Sequence, residues 1–156
     1  MRISNPIAFI LILTFCLCDK DETDQKERFI NDLISKMTSM EKIGQLNQYS
    51  SFFDVTGPKP TRMEDSIKYE QIKSGLVGSV LNVTGVRDVK AIQKLAIENS
   101  RLKIPLIFGL DVIHGFKTIC PIPIAESASW NLDLIEKSAR MAAKEAASAG
   151  INWTFA

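Results

Sequence analysis

The sequence predicts an α/β fold in which helices cover a parallel sheet. Short, continuously apolar segments of the kind that form buried parallel strands alternate with longer segments whose apolar residues recur at helical spacing. The composition is that of a globular domain, with 46% hydrophobic and 24% charged residues in a chain of 156. A disordered or collagen-like chain is therefore excluded.

The N-terminal segment is expected to be an export signal. Arg2 precedes an apolar run over Ile7–Cys18, after which the chain turns polar. A transmembrane helix needs about 20 apolar residues, and this run is shorter. A basic start followed by a short apolar core is typical of a secretory signal. We therefore assign residues 1–18 to a signal peptide and residues 19–156 to the domain that follows.

Two of the three cysteines, Cys16 and Cys18, lie at the end of this apolar run. The segment resembles a bacterial lipoprotein signal, in which a cysteine at the cleavage site receives the lipid, although a large residue precedes each cysteine here. An ordinary cleaved signal is the alternative. Either signal predicts export from a bacterial cell, to the periplasm or, through a lipidated Cys16 or Cys18, to the outer membrane.

Helical spacing and capping residues predict five helices. Capping boxes at Asp24–Glu27 and Thr38–Glu41 open the first two, and the second is expected to turn Ile43 and Leu46 inward. A loop containing Gly57–Pro60 follows them. The remaining three helices are predicted over Glu64–Ser74, Val86–Ser100 and Leu132–Ala149, the last of them opened by Asn131.

Three buried strands are predicted, over Leu76–Leu81, Ile104–Leu110 and Ile151–Ala156. With helices between them the strands run parallel, and both a barrel of eight βα units and a doubly wound open sheet fit this order. No glycine-rich phosphate motif follows a predicted strand, which argues against nucleotide binding. A net charge of +1 argues against nucleic acid, so that small molecules and neutral polymers are the expected partners.

Asp111 is the candidate functional residue. It comes directly after a predicted strand, and ligands of parallel α/β proteins bind at the carboxyl ends of strands. The alternative is that Asp111 caps the following turn. His114, the only histidine, is expected to hydrogen-bond within its loop and hold Asp111, with Gly115 as the turn residue. A metal site needs several ligands, so neither a metal nor a cofactor is expected here.

The other chemically capable side chains are interpreted as structural. Glu98, Glu136 and Glu145 are expected at exposed helical positions beside Lys and Arg. Trp130 and Trp153 could stack on a sugar, but packing in the core is the favoured interpretation. Cys120 stands alone beyond the signal, so a disulfide framework is not expected.

From about Gln25 onward the chain resembles the N-terminal portion of glycoside hydrolase family 3, especially bacterial periplasmic β-glucosidases. Its most distinctive stretch is SRLKIPLIFGLDVIHG, over Ser100–Gly115. The other matching stretches, in chain order, are Leu33–Gln45, Val77–Gly85, Thr118–Trp130 and Ala142–Ala156. Phe116 and Cys120 depart from the Tyr and Phe that relatives often have.

The resemblance implies the N-terminal portion, about three βα units, of an incomplete (β/α)8 TIM barrel. It also implies a retaining exo-acting β-glycosidase of the β-glucosidase or β-xylosidase type, which cleaves β-linked oligosaccharides or glycosides at the non-reducing end without a cofactor. Asp111 matches the family's sugar-binding aspartate. The Asp nucleophile and the Glu acid/base of the family are expected beyond Ala156.

We therefore expect the 156-residue chain, taken by itself, to be inactive and poorly folded. An exported, non-catalytic sugar-binding module is the alternative function. A different barrel enzyme, such as an aldolase or a phosphate-binding isomerase, is a third candidate. It is disfavoured because no Schiff-base lysine can be placed and the phosphate loops of such barrels come later in the chain.

Overall fold

The computed structural model describes residues 22–50 and 63–155, and the chain divides into two compact units, residues 1–38 and 39–156. The predicted signal peptide with Cys16 and Cys18 lies outside the described residues, as does the predicted loop at Gly57–Pro60. Within the described ranges, no helix combines the length and the apolar character that crossing a membrane requires.

The described part of the first unit is helical over residues 22–36, here named α1. The helix already includes residues before Asp24, so the predicted capping position at Asp24 is wrong. Ion pairs one turn apart line the helix, between Lys26 and Glu22 at 2.7 Å and between Lys36 and Asp32 at 2.5 Å. Such pairs add a few tenths of a kcal/mol each to an exposed helix.

The second unit alternates strands and helices. Its described helices are α2 (Ser39–Gly44), α3 (Met63–Lys73), α4 (Val86–Asn99), α5 (Pro123–Ser127) and α6 (Leu132–Ser148). Its described strands are β1 (Gln48–Ser50), β2 (Ser79–Leu81), β3 (Ile107–Leu110) and β4 (Trp153–Thr154). All neighbours are parallel and the spatial order is β1-β2-β3-β4. This is three βα units followed by a fourth strand, which confirms the predicted α/β class.

The first strand of the sheet was not predicted. Gln48–Ser50 follows α2 closely and pairs in register with Ser79–Leu81 of β2. Only Tyr49 of the strand packs against the core, and three residues are too few to show an apolar run or a readable alternation. The three predicted strands exist within the described residues but are shorter than expected.

One face of the sheet packs under the helices. Val80 and Phe108, neighbours on β2 and β3, are fully buried against Ile72 of α3 and Ile92 of α4. Val89 and Ala96 of α4 and Ala142 and Ala146 of α6 extend this core. Burial of this kind is worth about 1.5–3 kcal/mol for each large aliphatic or aromatic side chain.

The opposite face of the sheet carries an aromatic pair. Gly109 of β3 pairs with Trp153 of β4, and the ring centroids of Trp153 and Phe155 are 4.7 Å apart. A Cβ atom on Gly109 would lie 3.4 Å from both rings, so the glycine lets the aromatic side chains lie against the strand. Asn152 holds β4 in place, since its side-chain oxygen accepts the Phe108 N–H at 2.8 Å and its own N–H donates to the Phe108 carbonyl at 3.1 Å.

Two predictions about α2 and α6 had different outcomes. The Asn131 side chain accepts the Leu134 N–H at 3.1 Å, which confirms the predicted start of α6. The inward orientation of Ile43 and Leu46 is wrong, because these residues are 62% and 87% exposed. A helix of six residues presents too little of a periodic face for the sequence to fix its inner side.

Candidate functional site

Polar side chains gather at the carboxyl ends of the first three strands. Ser50 ends β1, Asn82 follows β2 and Asp111 follows β3. The Asn82 N–H donates to the carbonyl of Gly109 at 3.0 Å, and its side-chain amide donates to the Ser50 hydroxyl oxygen at 2.9 Å. Asn82 thus links the ends of β1 and β3, at the edge of the sheet where parallel α/β proteins bind ligands.

Asn82 reaches this position through an unusual backbone conformation. Its φ is 63°, in the left-handed region that asparagine tolerates better than most residues. The conformation turns the chain out of β2 while its amide stays close to Ser50. Sequence reasoning missed both residues, although an asparagine directly after an apolar strand is a signal that could have identified the first of them.

Asp111 lies where the sequence placed it, at the carboxyl end of β3, and it is exposed. The next residue, Val112, is 5% exposed and anchors the chain in the core. Within the described part of the chain, the Asp111 carboxylate accepts no hydrogen bond from the turn that follows. The carboxylate therefore faces solvent at this edge instead of capping the turn.

The chain beyond Asp111 folds into a tight turn. The Cys120 N–H donates to the His114 carbonyl at 2.7 Å, and Gly115 pairs with Ile119 in an antiparallel bridge. Gly115 has a φ of 112°, and a Cβ atom there would lie 2.1 Å from the Thr118 carbonyl oxygen. The prediction of Gly115 as the turn residue is confirmed. His114 does bond within the loop, but through its backbone carbonyl, while its side chain is exposed.

Glu145 of α6 holds the tip of this turn. One carboxylate oxygen accepts the backbone N–H groups of Lys117 and Thr118, both at 2.8 Å, and the other accepts the Thr118 hydroxyl at 2.7 Å. Chiefly the Thr118 N–H, and after it the Thr118 hydroxyl, lowers the pKa of Glu145. The prediction of an exposed acid beside Lys and Arg is wrong for Glu145, because the residue is half-buried and its carboxylate bonds to the loop that folds back over α6. For Glu98 and Glu136 it is confirmed, since they pair with Lys94 and Arg140.

A concave surface lies between α5 and α6. It encloses about 370 Å³ and is lined mainly by apolar side chains, including Cys120, Leu134 and Met141. Trp130, in the connection between the two helices, is 93% exposed, so its predicted place in the core is wrong. Within residues 22–50 and 63–155, no three His, Cys, Asp or Glu side chains gather as metal ligands.

The parallel sheet, its helical crossovers and the polar carboxyl edge define part of an α/β domain. The model of the N-terminal domain of glycosyl hydrolase family 3 matches residues 38–156. The chain belongs to glycoside hydrolase family 3.

Two curated relatives support this assignment. A periplasmic beta-glucosidase of Salmonella typhimurium is 39% identical over 133 residues, which is 85% of this chain and 16% of the relative. A lysosomal beta glucosidase of Dictyostelium discoideum is 30% identical over 152 residues, covering 84% of this chain and 18% of the relative. The chain thus spans less than a fifth of the length of these relatives.

Solved structures of a beta-glucosidase from Listeria innocua have the same local fold. The complex with isofagomine superposes with a TM-score of 0.68 at 36% identity, and the glucose complex with 0.70 at 33%. A mutant of that enzyme with laminaribiose superposes with 0.70 at 34% identity. Each match covers 83% of this chain and 18% of the Listeria chain.

Proposed function

We propose that this chain forms the first part of the barrel of a retaining, exo-acting β-glycosidase of the β-glucosidase type, and that Asp111 binds hydroxyls of the terminal sugar. Membership of glycoside hydrolase family 3 and the β-glucosidases among its relatives support the reaction class. The complexes of the Listeria enzyme with glucose and with laminaribiose support a β-linked glucoside as substrate.

The observation that carries the role of Asp111 is its place in the structure. It is an exposed carboxylate directly after β3, at the edge where β1 and β2 also end. A carboxylate can accept hydrogen bonds from two neighbouring sugar hydroxyls, and charge-assisted bonds of this kind are worth about 1.5–3 kcal/mol each. Asp111 does not itself transfer a proton or attack the sugar in this proposal, because the nucleophile and the acid/base are expected beyond Ala156.

The role of Asp111 is tested by steady-state kinetics of the full-length native protein on an aryl β-glucoside. Asp111→Ala is expected to lower kcat/KM by about 100-fold or more, because two charge-assisted hydrogen bonds are lost. Asp111→Asn keeps the shape of the side chain, so its effect on kcat/KM measures the contribution of the negative charge. Glu98→Gln, which removes one exposed charge from α4, is the matched control. Wild-type kinetics in Asp111→Ala would remove the sugar-binding role.

Retention of the anomeric configuration is tested separately. In a retaining hydrolysis the first sugar released from the β-glucoside is the β anomer, because two displacements at the anomeric carbon restore the starting configuration. Proton NMR of the full-length native protein with substrate follows the anomer before mutarotation. Initial release of the α anomer would contradict a retaining mechanism.

We also propose export of the protein through residues 1–18. The basic, apolar and polar order of that segment supports it, and so does the periplasmic location in the name of the Salmonella relative. Cell fractionation of the wild type and of Cys16→Ser and Cys18→Ser variants distinguishes a lipoprotein signal from an ordinary cleaved signal. Release from the membrane by one substitution identifies a lipidated cysteine, while a soluble periplasmic wild type identifies an ordinary cleaved signal. A protein that stays in the cytoplasm would contradict export.

A non-catalytic sugar-binding module is the alternative outcome of these experiments. A native protein that binds glucose through Asp111 and releases no sugar from aryl β-glucosides or laminaribiose would favour it.

A further inference from the structure

The loop after β3 contains a hydrogen-bonded turn that begins three residues after Asp111. We name residues 111–122 the Asp111 loop. Val112 fixes its start in the hydrophobic core, and the Cys120 N–H bonded to the His114 carbonyl at 2.7 Å closes its turn. The turn is so closely packed at Gly115 that a Cβ atom there would collide with the Thr118 carbonyl oxygen. Asp111 therefore opens a compact loop, and the tip of this loop contacts a different element of the fold.

The outside contact is Glu145 on α6, 27 residues further along the chain than Thr118. Its carboxylate receives three donors at once, namely the N–H groups of Lys117 and Thr118 and the Thr118 hydroxyl, all within 2.8 Å. Bonds from neutral donors to an ionised carboxylate are stronger than those between neutral groups. The contact thus holds the tip of the turn against a long helix.

Another acid of α6, Glu136, makes a different kind of contact. Glu136 pairs with Arg140 on the same helix, and both side chains are more than 60% exposed. Pairs of this kind contribute little to stability. Glu145 bonds across the chain to backbone groups of the loop, and those donors hold its pKa below the usual range.

We propose that Glu145 is a positioning residue, which fixes the Asp111 loop on α6 and thereby keeps Asp111 oriented for the sugar. This inference rests on the proposed sugar-binding role of Asp111. Fixing a binding group in its bound orientation before the ligand arrives lowers the entropic cost of binding, and misplacement by about 1 Å can cost 100-fold in rate.

The loop contact is measured first, by hydrogen–deuterium exchange of peptides that cover residues 112–122 in the full-length native protein. Glu145→Ala is expected to raise the exchange rate of the Lys117 and Thr118 amides by about tenfold or more, since both lose their acceptor. Thr118→Val removes only the hydroxyl bond and is expected to raise it less. Glu136→Ala, on the same helix, is the matched control with wild-type exchange.

The link to Asp111 is measured by a double-mutant cycle in kcat/KM on an aryl β-glucoside. Glu145→Ala alone is expected to lower kcat/KM by about tenfold. In the Asp111→Ala background it is expected to add almost nothing, because its effect acts through a carboxylate that is already absent. A residue needed only for folding would lower both backgrounds equally. Should Glu145→Ala not fold, the same cycle with Thr118→Val carries the test.

Three results would overturn the inference, and each is distinguishable. Unchanged exchange in Glu145→Ala would show that the carboxylate does not hold the loop. Additive losses in the cycle would show that the loop does not act through Asp111. Wild-type kinetics in Asp111→Ala would instead remove the proposed role of Asp111, and the positioning role would fall with it whatever the exchange experiment shows.

Discussion

Arg101 and Glu41 join two parts of the chain that are 60 residues apart. The guanidinium donates from Nε to one carboxylate oxygen of Glu41 at 3.1 Å and from a terminal nitrogen to the other at 2.6 Å. Glu41 is only 8% exposed, although it is charged. Arg101 lies between α4 and β3, at the amino end of the sheet, so the pair stands opposite the edge that carries Asp111. In barrel enzymes this end serves stability and not chemistry.

Arg101→Met is expected to lower stability without altering catalysis. The substitution takes two charge-assisted bonds from a nearly buried carboxylate, so the Tm of the full-length native protein should fall by about 2–4 °C with unchanged kcat/KM. Arg87→Met is the matched control, since Arg87 pairs with its neighbour Asp88 on the surface. An equal fall in Tm in both variants, or a loss of kcat/KM in Arg101→Met, would contradict this division of roles.

Gly115→Ala is expected to impair sugar binding more than Gly85→Ala. Both glycines have positive φ, of 112° and 101°, so both substitutions strain the backbone. Only at Gly115 would the new Cβ atom collide, 2.1 Å from the Thr118 carbonyl oxygen, while at Gly85 nothing lies within 4 Å. Glucose titration of the full-length native protein should give a Kd raised by about tenfold or more for Gly115→Ala alone. Equal Kd values would mean that the turn does not orient Asp111.

Asn82→Ala is expected to cost more stability than Asn82→Gly. Both variants lose the amide bond to Ser50, but alanine also pays for the left-handed backbone that glycine adopts freely. The difference between them should be about 1 kcal/mol in the free energy of unfolding, measured by denaturant titration. A glycine variant as unstable as the alanine variant would locate the whole effect in the Ser50 bond.

The stabilisation by Glu145 is expected to depend on pH. Because hydrogen bonds from the loop lower its pKa in the folded state, the carboxylate stabilises the fold at neutral pH. That contribution is lost as the pH falls below the ordinary glutamate range and through the lowered pKa. The Tm difference between wild type and Glu145→Gln should therefore be largest near neutrality and shrink as the pH falls below the ordinary glutamate pKa of about 4.3. With Glu136→Gln as control, a Tm difference independent of pH would contradict the charge-assisted contact.

Much of the fold could be predicted from the sequence, since its strongest signals are local. The helix α6 was predicted almost to the residue because its apolar spacing and the Asn131 cap agree. Asp111 was placed correctly at the end of β3 for a similar reason, since an apolar strand followed by a carboxylate is readable in one stretch of chain.

The features that the sequence did not disclose depend on contacts between distant segments. The strand β1 pairs with β2, and its three residues are too few to show a pattern of their own. Glu145 has the spacing of an exposed helical acid, and only the return of Lys117 and Thr118 over α6 gives it partners. The amide of Asn82 likewise meets Ser50 only once the sheet has formed.

The central claim is that Asp111 binds the terminal sugar at the carboxyl edge of the sheet. A crystal structure of the full-length native protein with glucose tests it most directly. We predict that the Asp111 carboxylate accepts hydrogen bonds from two neighbouring hydroxyls, at about 2.5–2.7 Å as is usual for a hydroxyl bound to a carboxylate. A glucose molecule bound in the active site without contact to Asp111 would contradict the account.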